Sequence, residues 1–177
     1  MSGRAVNFNC FTIEQVKEIN KEIKTQESKK QDLTYTAQNA SKIGEFSHVP
    51  CGPLIGILHP FLYQCQLANR DIFGYDIYWD FHLEAFNYNV YGIEGEYGWH
   101  IDAIESQKYD MKLTCLLNLS EESYEGGKFH VTNTHEEQKF TSGMGLVFTS
   151  PLAHKVTPVT KGERITLTYW GMGPSWR

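Results

Sequence analysis

The chain has 177 residues, with 16 Lys plus Arg against 21 Asp plus Glu, a formal net charge of −5 and 41% hydrophobic, 21% charged and 14% aromatic residues. This composition excludes a disordered, collagen-like or coiled-coil chain and fits one globular unit able to bury a core without disulfide staples. With a pI of 5.8 there is no basic footprint for nonspecific nucleic-acid or acidic-membrane binding. No apolar run approaches the roughly 20 residues that cross a bilayer, and the first residues carry no apolar leader core. Cys10, Cys51, Cys65 and Cys115 are dispersed without a CxxC pair, so they read as reduced packing thiols. The expectation is a single domain, 1–177, in the cytoplasm.

Ile13, Val16, Ile19 and Ile23 are spaced as the apolar stripe of an amphipathic helix over residues 12–28. Residues 32–50 are mostly polar and read as irregular connection or edge structure. A second helix is predicted after Pro60, ending at Gly74 in the manner of a glycine stop. From Tyr75 short aromatic and β-branched runs alternate with turn residues, giving strands at 75–79, 82–91, 98–103, 112–119, 128–132, 138–140, 145–148, 153–158 and 164–170. Helices followed by many short strands predict a mainly β sandwich or barrel over about 75–170. The helical part, about 1–74, packs outside it.

In a strand, His100 and Asp102 project from one face while Ile101 turns away. An imidazole and a carboxylate so placed can take two adjacent positions of a metal's shell, although HxD alone is a common coincidence. His154 follows much later and Arg164 ten residues after it, with residues 160–163 as a plausible turn of a hairpin. Alternation puts Arg164, Thr166, Thr168 and Trp170 on one face, and an inward arginine is costly unless an anion meets it. His100, Asp102 and His154 supply the two imidazoles and one carboxylate of a facial triad suited to non-haem Fe(II), and Arg164 suits the far carboxylate of a chelating diacid. His130 and His135 read as solvated, and His48, His59 and His82 have no partner at ligand spacing.

This pattern resembles the Fe(II)/2-oxoglutarate-dependent oxygenases, and within them the prolyl 4-hydroxylase-like branch with its small bacterial and phage members. The resemblance runs from about Ala68 to the C-terminus. It includes Ala68-Asn69, Phe73-Gly74-Tyr75-Asp76-Ile77, Tyr91, Leu119-Ser120, Tyr124-Glu125-Gly126-Gly127-Lys128-Phe129, His154-Lys155-Val156-Thr157-Pro158-Val159 and Gly162-Glu163-Arg164. It implies a double-stranded β-helix (jelly roll) with His100, Asp102 and His154 as iron ligands and Arg164 paired with the distal carboxylate of 2-oxoglutarate. It further implies that Tyr91, Thr168 and Trp170 line the cosubstrate pocket. The inward positions of residues 112–119, Thr114, Leu116 and Asn118, lack the tyrosine that some members use there, and Asn118 is the polar candidate in its place.

The resemblance also implies the reaction: hydroxylation of an unactivated C–H bond with release of succinate and CO2, using Fe(II), 2-oxoglutarate, O2 and ascorbate as reductant. The preferred substrate is a prolyl residue of a protein or peptide, ahead of a free amino acid or another side chain. Membrane is not expected as a partner, nucleic acid is disfavoured, and the oligomeric state stays open. A zinc hydrolase using the same three ligands and a non-catalytic jelly-roll binding protein are the alternatives. Residues 32–50 and 103–110 are the expected specificity loops.

Overall fold

The computed structural model describes residues 5–26, 31–37, 40–79, 85–102, 109–132 and 137–175, with side chains left out over 31–41. In chain order the elements are β1 (Val6–Asn9), α1 (Ile13–Gln26), β2 (Gln31–Ala37), β3 (Ala40–Pro50), α2 (Cys51–Ala68) with a π-helical turn (Asn69–Phe73), β4 (Ala85–Tyr91), β5 (Glu96–His100), β6 (Tyr109–Asn118), β7 (Glu125–Gly126), β8 (Phe129–Val131), β9 (Met144–Thr149), β10 (His154–Val156), β11 (Val159–Lys161) and β12 (Arg164–Pro174). The main sheet is antiparallel throughout, in the order β1-β9-β6-β12-β4-β3-β5-β10-β8, with β2 on β3; β7 and β11 form a separate pair. This curled sheet is the expected mainly β jelly roll with helices outside it.

Alternation sorts the sheet's side chains into two cores. Leu113, Cys115 and Leu117 of β6 and Ile165, Leu167 and Tyr169 of β12 pack with Val16, Ile19 and Ile23 of α1 and Leu54, Leu58, Phe61 and Cys65 of α2. The opposite face turns Leu116, Phe129, Leu146, Phe148 and Val156 into the roll. β6 and β12 are buried on both faces; β6 carries the apolar run Cys115-Leu116-Leu117, whereas β12 alternates Ile165, Leu167 and Tyr169 with the buried polar Arg164, Thr166 and Thr168. α1 opens on a reciprocal cap, with Gln15 N–H donating to Thr12 Oγ1 at 3.4 Å and Thr12 N–H to Gln15 Oε1 at 2.9 Å.

Five sequence expectations change. Residues 32–50 form a hairpin, and β3 is an interior strand between β4 and β5, because Ser47 and Val49 are buried while Lys42 turns inward. α2 begins at Cys51 and carries Pro60 inside it; the apolar stripe from Leu54 to Cys65, buried on the sheet, outweighs the missing N–H. Gly74 does end the helical run, in the left-handed region at φ 68°. Residues 75–79 form no strand and bond to β12 by Tyr78 N–H to Met172 O at 2.7 Å, while 138–140 adjoins only an isolated bridge, His130 with Glu137. His154 and Arg164 do not share a hairpin: β10 pairs with β5 and β8, whereas β12 pairs with β4 and β6. The jelly roll sends consecutive strands to opposing walls, so the two residues approach across the interior. Residues 82–84 of a predicted strand, His82 and His135, and 103–108 of a predicted loop lie outside the described residues.

Phe61 is fully buried and packs its ring 6.5 Å from that of Phe8 on β1, clamping α2 to the sheet edge. Phe61→Ala is expected to lower stability by about 3–5 kcal/mol in urea unfolding. Tyr63→Ala, at an exposed site of the same helix, should change it by less than about 1 kcal/mol. Equal effects would contradict this packing.

Candidate metal centre and its anion pocket

β5 and β10 are paired so that His100 stands directly opposite His154. The ring Nδ1–H of His100 donates to Gly98 O at 2.7 Å and that of His154 to Leu152 O at 2.8 Å, so each imidazole turns a bare Nε2 into the roll. Asp102, just past β5, is held by its own N–H to Ser150 O at 3.0 Å. Its carboxylate stands 3.8 Å from His100 Nε2 and 3.7 Å from His154 Nε2, and the three residues' ligand atoms lie within 4.8 Å of one another. This is the one such group among the described residues. Burial, and then the neighbouring His154, push His100 down to about 4, against the opposing pull of the Gly98 carbonyl and Asp102. The imidazole is therefore neutral at pH 7, with its lone pair available to a metal.

Two local features fix this geometry. Between His154 and Val156 of β10 the partner strand advances from His100 to Tyr97, so β5 carries a bulge. The extra residue lets Tyr97 and His100 face the same side, where their rings stack at 3.4 Å. Behind the carboxylate, Thr114 Oγ1 donates to Asp102 Oδ2 at 2.6 Å and meets Ser150 Oγ at 3.1 Å. That bond holds the carboxylate's rotamer, the role outer contacts have at metal sites.

Arg164, the first residue of β12, pairs with Tyr91 of β4 and is only 1% exposed. Its guanidinium lies 5.3 Å from the Tyr91 ring centroid and 5.7 Å from that of Phe140. Its Nε has no hydrogen-bond partner, and among the described residues no carboxylate pairs with it. A buried permanent cation without an anion costs several kcal/mol in free energy, which a carboxylate ligand would offset. Gly127, at φ 57°, supports this residue: a Cβ there would stand 2.9 Å from Arg164 Cδ. Gly127 is thus explained by a close approach to the arginine, whereas at Gly126, φ 72°, a Cβ would collide with the backbone of Pro158, just before β11.

A cavity of about 50 Å³ joins these parts, and its walls include His100, Asp102, His154, Arg164, Tyr91, Thr168 and Trp170. A larger open groove of about 820 Å³ runs between residues 120–128 and 137–142, but holds no ligand cluster, so chemistry belongs to the smaller cavity. Asn118 is not brought into it. Its amide donates to Phe140 O at 2.8 Å and Tyr124 Oη at 3.1 Å, and its oxygen accepts Ser120 N–H at 3.0 Å, so it ties loop to strand. Sequence reasoning missed Lys42, Asn87, Asn89 and Tyr97, which line the cavity, and Thr114 behind it. The inward parity of Thr114 was readable, whereas Tyr97 depended on the bulge. His48 and His59 are exposed and His130 is half-buried, away from the cavity.

The donor set fits a divalent metal of the Fe(II) or Zn(II) type, and the unpaired Arg164 beside it fits a carboxylate of a ligand chelating that metal. The sequence profile of the 2OG-Fe(II) oxygenase superfamily matches residues 86–172, a span containing all four residues. Over that span, just under half of its length, the chain is similar to this superfamily. It is 37% identical over 93 residues to a PKHD-type hydroxylase of Alteromonas mediterranea, covering 47% of this chain and 41% of that protein, and 34% identical over 93 residues to one of Shewanella frigidimarina, with the same coverage. The match thus spans about two fifths of these relatives' length. The fold is similar to a viral collagen prolyl hydroxylase of Paramecium Bursaria Chlorella virus-1, with a TM-score of 0.71 at 16% identity over 96% of each chain. It is also similar to a Pseudomonas putida prolyl-4-hydroxylase, with a TM-score of 0.70 at 15% identity over 98% of this chain and 95% of that one.

Thr114→Val keeps the side-chain shape and removes the hydroxyl. It is expected to weaken Mn(II) binding in a metal titration by about 10- to 100-fold while the fold's melting temperature stays close to wild type. Unchanged affinity would show that the Asp102 rotamer is held without Thr114.

Proposed function

We propose that this chain is an Fe(II)- and 2-oxoglutarate-dependent dioxygenase that hydroxylates an unactivated C–H bond, with a prolyl residue of a protein or peptide as substrate. The observation that carries the reading is the pairing, in one cavity, of a His-Asp-His group with a buried arginine that no carboxylate among the described residues meets. The match to the superfamily's profile and the PKHD-type hydroxylase relatives support the reaction class. The prolyl assignment draws on the fold's likeness to prolyl hydroxylases, one of them in complex with a peptide fragment of hypoxia inducible factor.

Bound together, Fe(II) and 2-oxoglutarate supply dioxygen activation coupled to oxidative decarboxylation, yielding succinate, CO2 and a hydroxylated substrate. The protein's part is positional. Nε2 of His100 and His154 and the Asp102 carboxylate would hold the metal at the cavity wall. Arg164 receives the distal carboxylate of the cosubstrate, while the Tyr91 and Phe140 rings beside it exclude water and strengthen that ion pair. Thr168 and Trp170 continue the same face of β12 towards the substrate side. A zinc hydrolase would use the same three ligands but leaves the unpaired Arg164 without a task.

The test is succinate formation by the purified protein supplied with Fe(II), 2-oxoglutarate, ascorbate and oxygen, without added substrate. Slow uncoupled succinate release is expected from wild type and none from His100→Ala. In Arg164→Ala the 2-oxoglutarate concentration for half-maximal turnover should rise by about 100-fold or more, since a charge-assisted contact is lost. Equal succinate from wild type and His100→Ala would overturn the reading.

A further inference from the structure

The cavity holds two cations, and the reaction proposed above employs one. Lys42 enters from β3, is 8% exposed, and its Nζ donates to Asn89 Oδ1 at 3.2 Å. Its ammonium lies 4.9 Å from the Tyr97 ring centroid and 5.4 Å from that of Phe46. Aromatic faces attract a cation without satisfying its remaining two N–H donors. Among the described residues no carboxylate lies within ion-pair distance of Lys42. Burial pushes its ammonium down to about 8, with only the longer-range field of Asp102 opposing.

The unsatisfied polar atoms of this cavity fall into two groups. One is Arg164, opposite Tyr91 in the β4–β12 ladder. The other comprises Asn87 Oδ1 and the Trp170 indole Nε1, both buried and, among the described residues, without a hydrogen-bond partner. Asn87 stands opposite Thr168, and Trp170 follows two residues on along the same face, so this second group is at the far end of the ladder from Arg164. Lys42, bonded to Asn89 opposite Thr166, stands between them. In the proposed complex the charges cancel in pairs. The distal carboxylate meets Arg164, and Asp102 with the proximal carboxylate meets the divalent metal. Lys42 is left over.

We propose that Lys42 is a substrate-reading residue, whose ammonium receives a carboxylate carried by the substrate close to the carbon that is hydroxylated. The Trp170 indole N–H is a second donor on that side and the Asn87 carbonyl an acceptor for a neighbouring N–H. This rests on the oxygenase reading above and narrows it, because a neutral internal prolyl residue would leave a buried ammonium uncompensated. The carboxylate has two possible sources, the α-carboxylate of a chain-terminal or free residue, or an acidic side chain beside the target.

The test is calorimetric binding to the full chain loaded anaerobically with Fe(II) and 2-oxoglutarate. Two pairs of probes are compared: N-acetyl-L-proline with N-acetyl-L-prolinamide, and acetyl-Pro-Asp-amide with acetyl-Pro-Asn-amide. In wild type the acid of at least one pair is expected to bind about tenfold or more tightly than its neutral partner. The first pair reports an α-carboxylate and the second a side chain. Lys42→Met should abolish the preference and Lys42→Arg should keep part of it. Equal binding of acid and amide in both pairs, no binding of either acid, or a preference that survives in Lys42→Met would each overturn the proposal. So would a Lys42→Met defect removed by excess 2-oxoglutarate, which would assign the ammonium to the cosubstrate. Succinate release by wild type without probes separates the two levels. If it persists, the oxygenase reading stands while the substrate inference falls; if it is absent, the reading itself falls.

Discussion

Arg164 is a permanent cation beside two aromatic rings, at 1% exposure, and among the described residues no carboxylate meets it. A guanidinium cannot shed its charge, so the chain carries the cost of that burial until an anion arrives. The surrounding structure is arranged to keep it there. β12 is flanked by β4 and β6, its outer face is sealed by α1 and α2, and Gly127 leaves room where a side chain would collide. The helices thus serve the site indirectly, by sealing the back of the strand that presents the arginine.

The candidate metal-ligand group depends on a different wall of the roll. His100 and His154 meet because β5 and β10 pair in that register, and two backbone carbonyls orient both rings. Asp102 joins them from beyond the strand end, steered by Thr114 on β6. Arg164 and the ligands therefore come from opposing walls of one cavity, which makes a ligand that spans from metal to guanidinium a natural occupant. A ligand touching only the metal, or only the arginine, would leave half of this arrangement unexplained.

Much of this was legible in the residues. The two-residue alternation of β6 and β12 sorted inward from outward side chains, and it put Thr114, Thr168 and Trp170 on the cavity side. The ligand group was readable as HxD with a distant His. What escaped has physical causes. Lys42 lies in a polar stretch whose strand character comes from pairing with β4 and β5, not from its own pattern. Tyr97 reaches the cavity only through a bulge, which breaks the alternation that would have turned it away. The connection from His154 to Arg164 looks like a hairpin in sequence, because a crossover between the walls of a roll has the same turn chemistry as a hairpin. Asn118 had the right parity but is consumed by its loop, a commitment that parity cannot reveal.

The most direct measurement compares the binding of 2-oxoglutarate with that of 2-oxobutyrate, which chelates alike but lacks the distal carboxylate, to the anaerobic Fe(II)-loaded protein, in wild type and in Arg164→Met. The account predicts that wild type favours 2-oxoglutarate by about 100-fold or more, since both a charge-assisted contact and a buried charge are at stake, and that the variant loses most of this preference. Equal binding of the two ligands by wild type, or an undiminished preference in Arg164→Met, would contradict the claim that the buried arginine exists to receive that carboxylate.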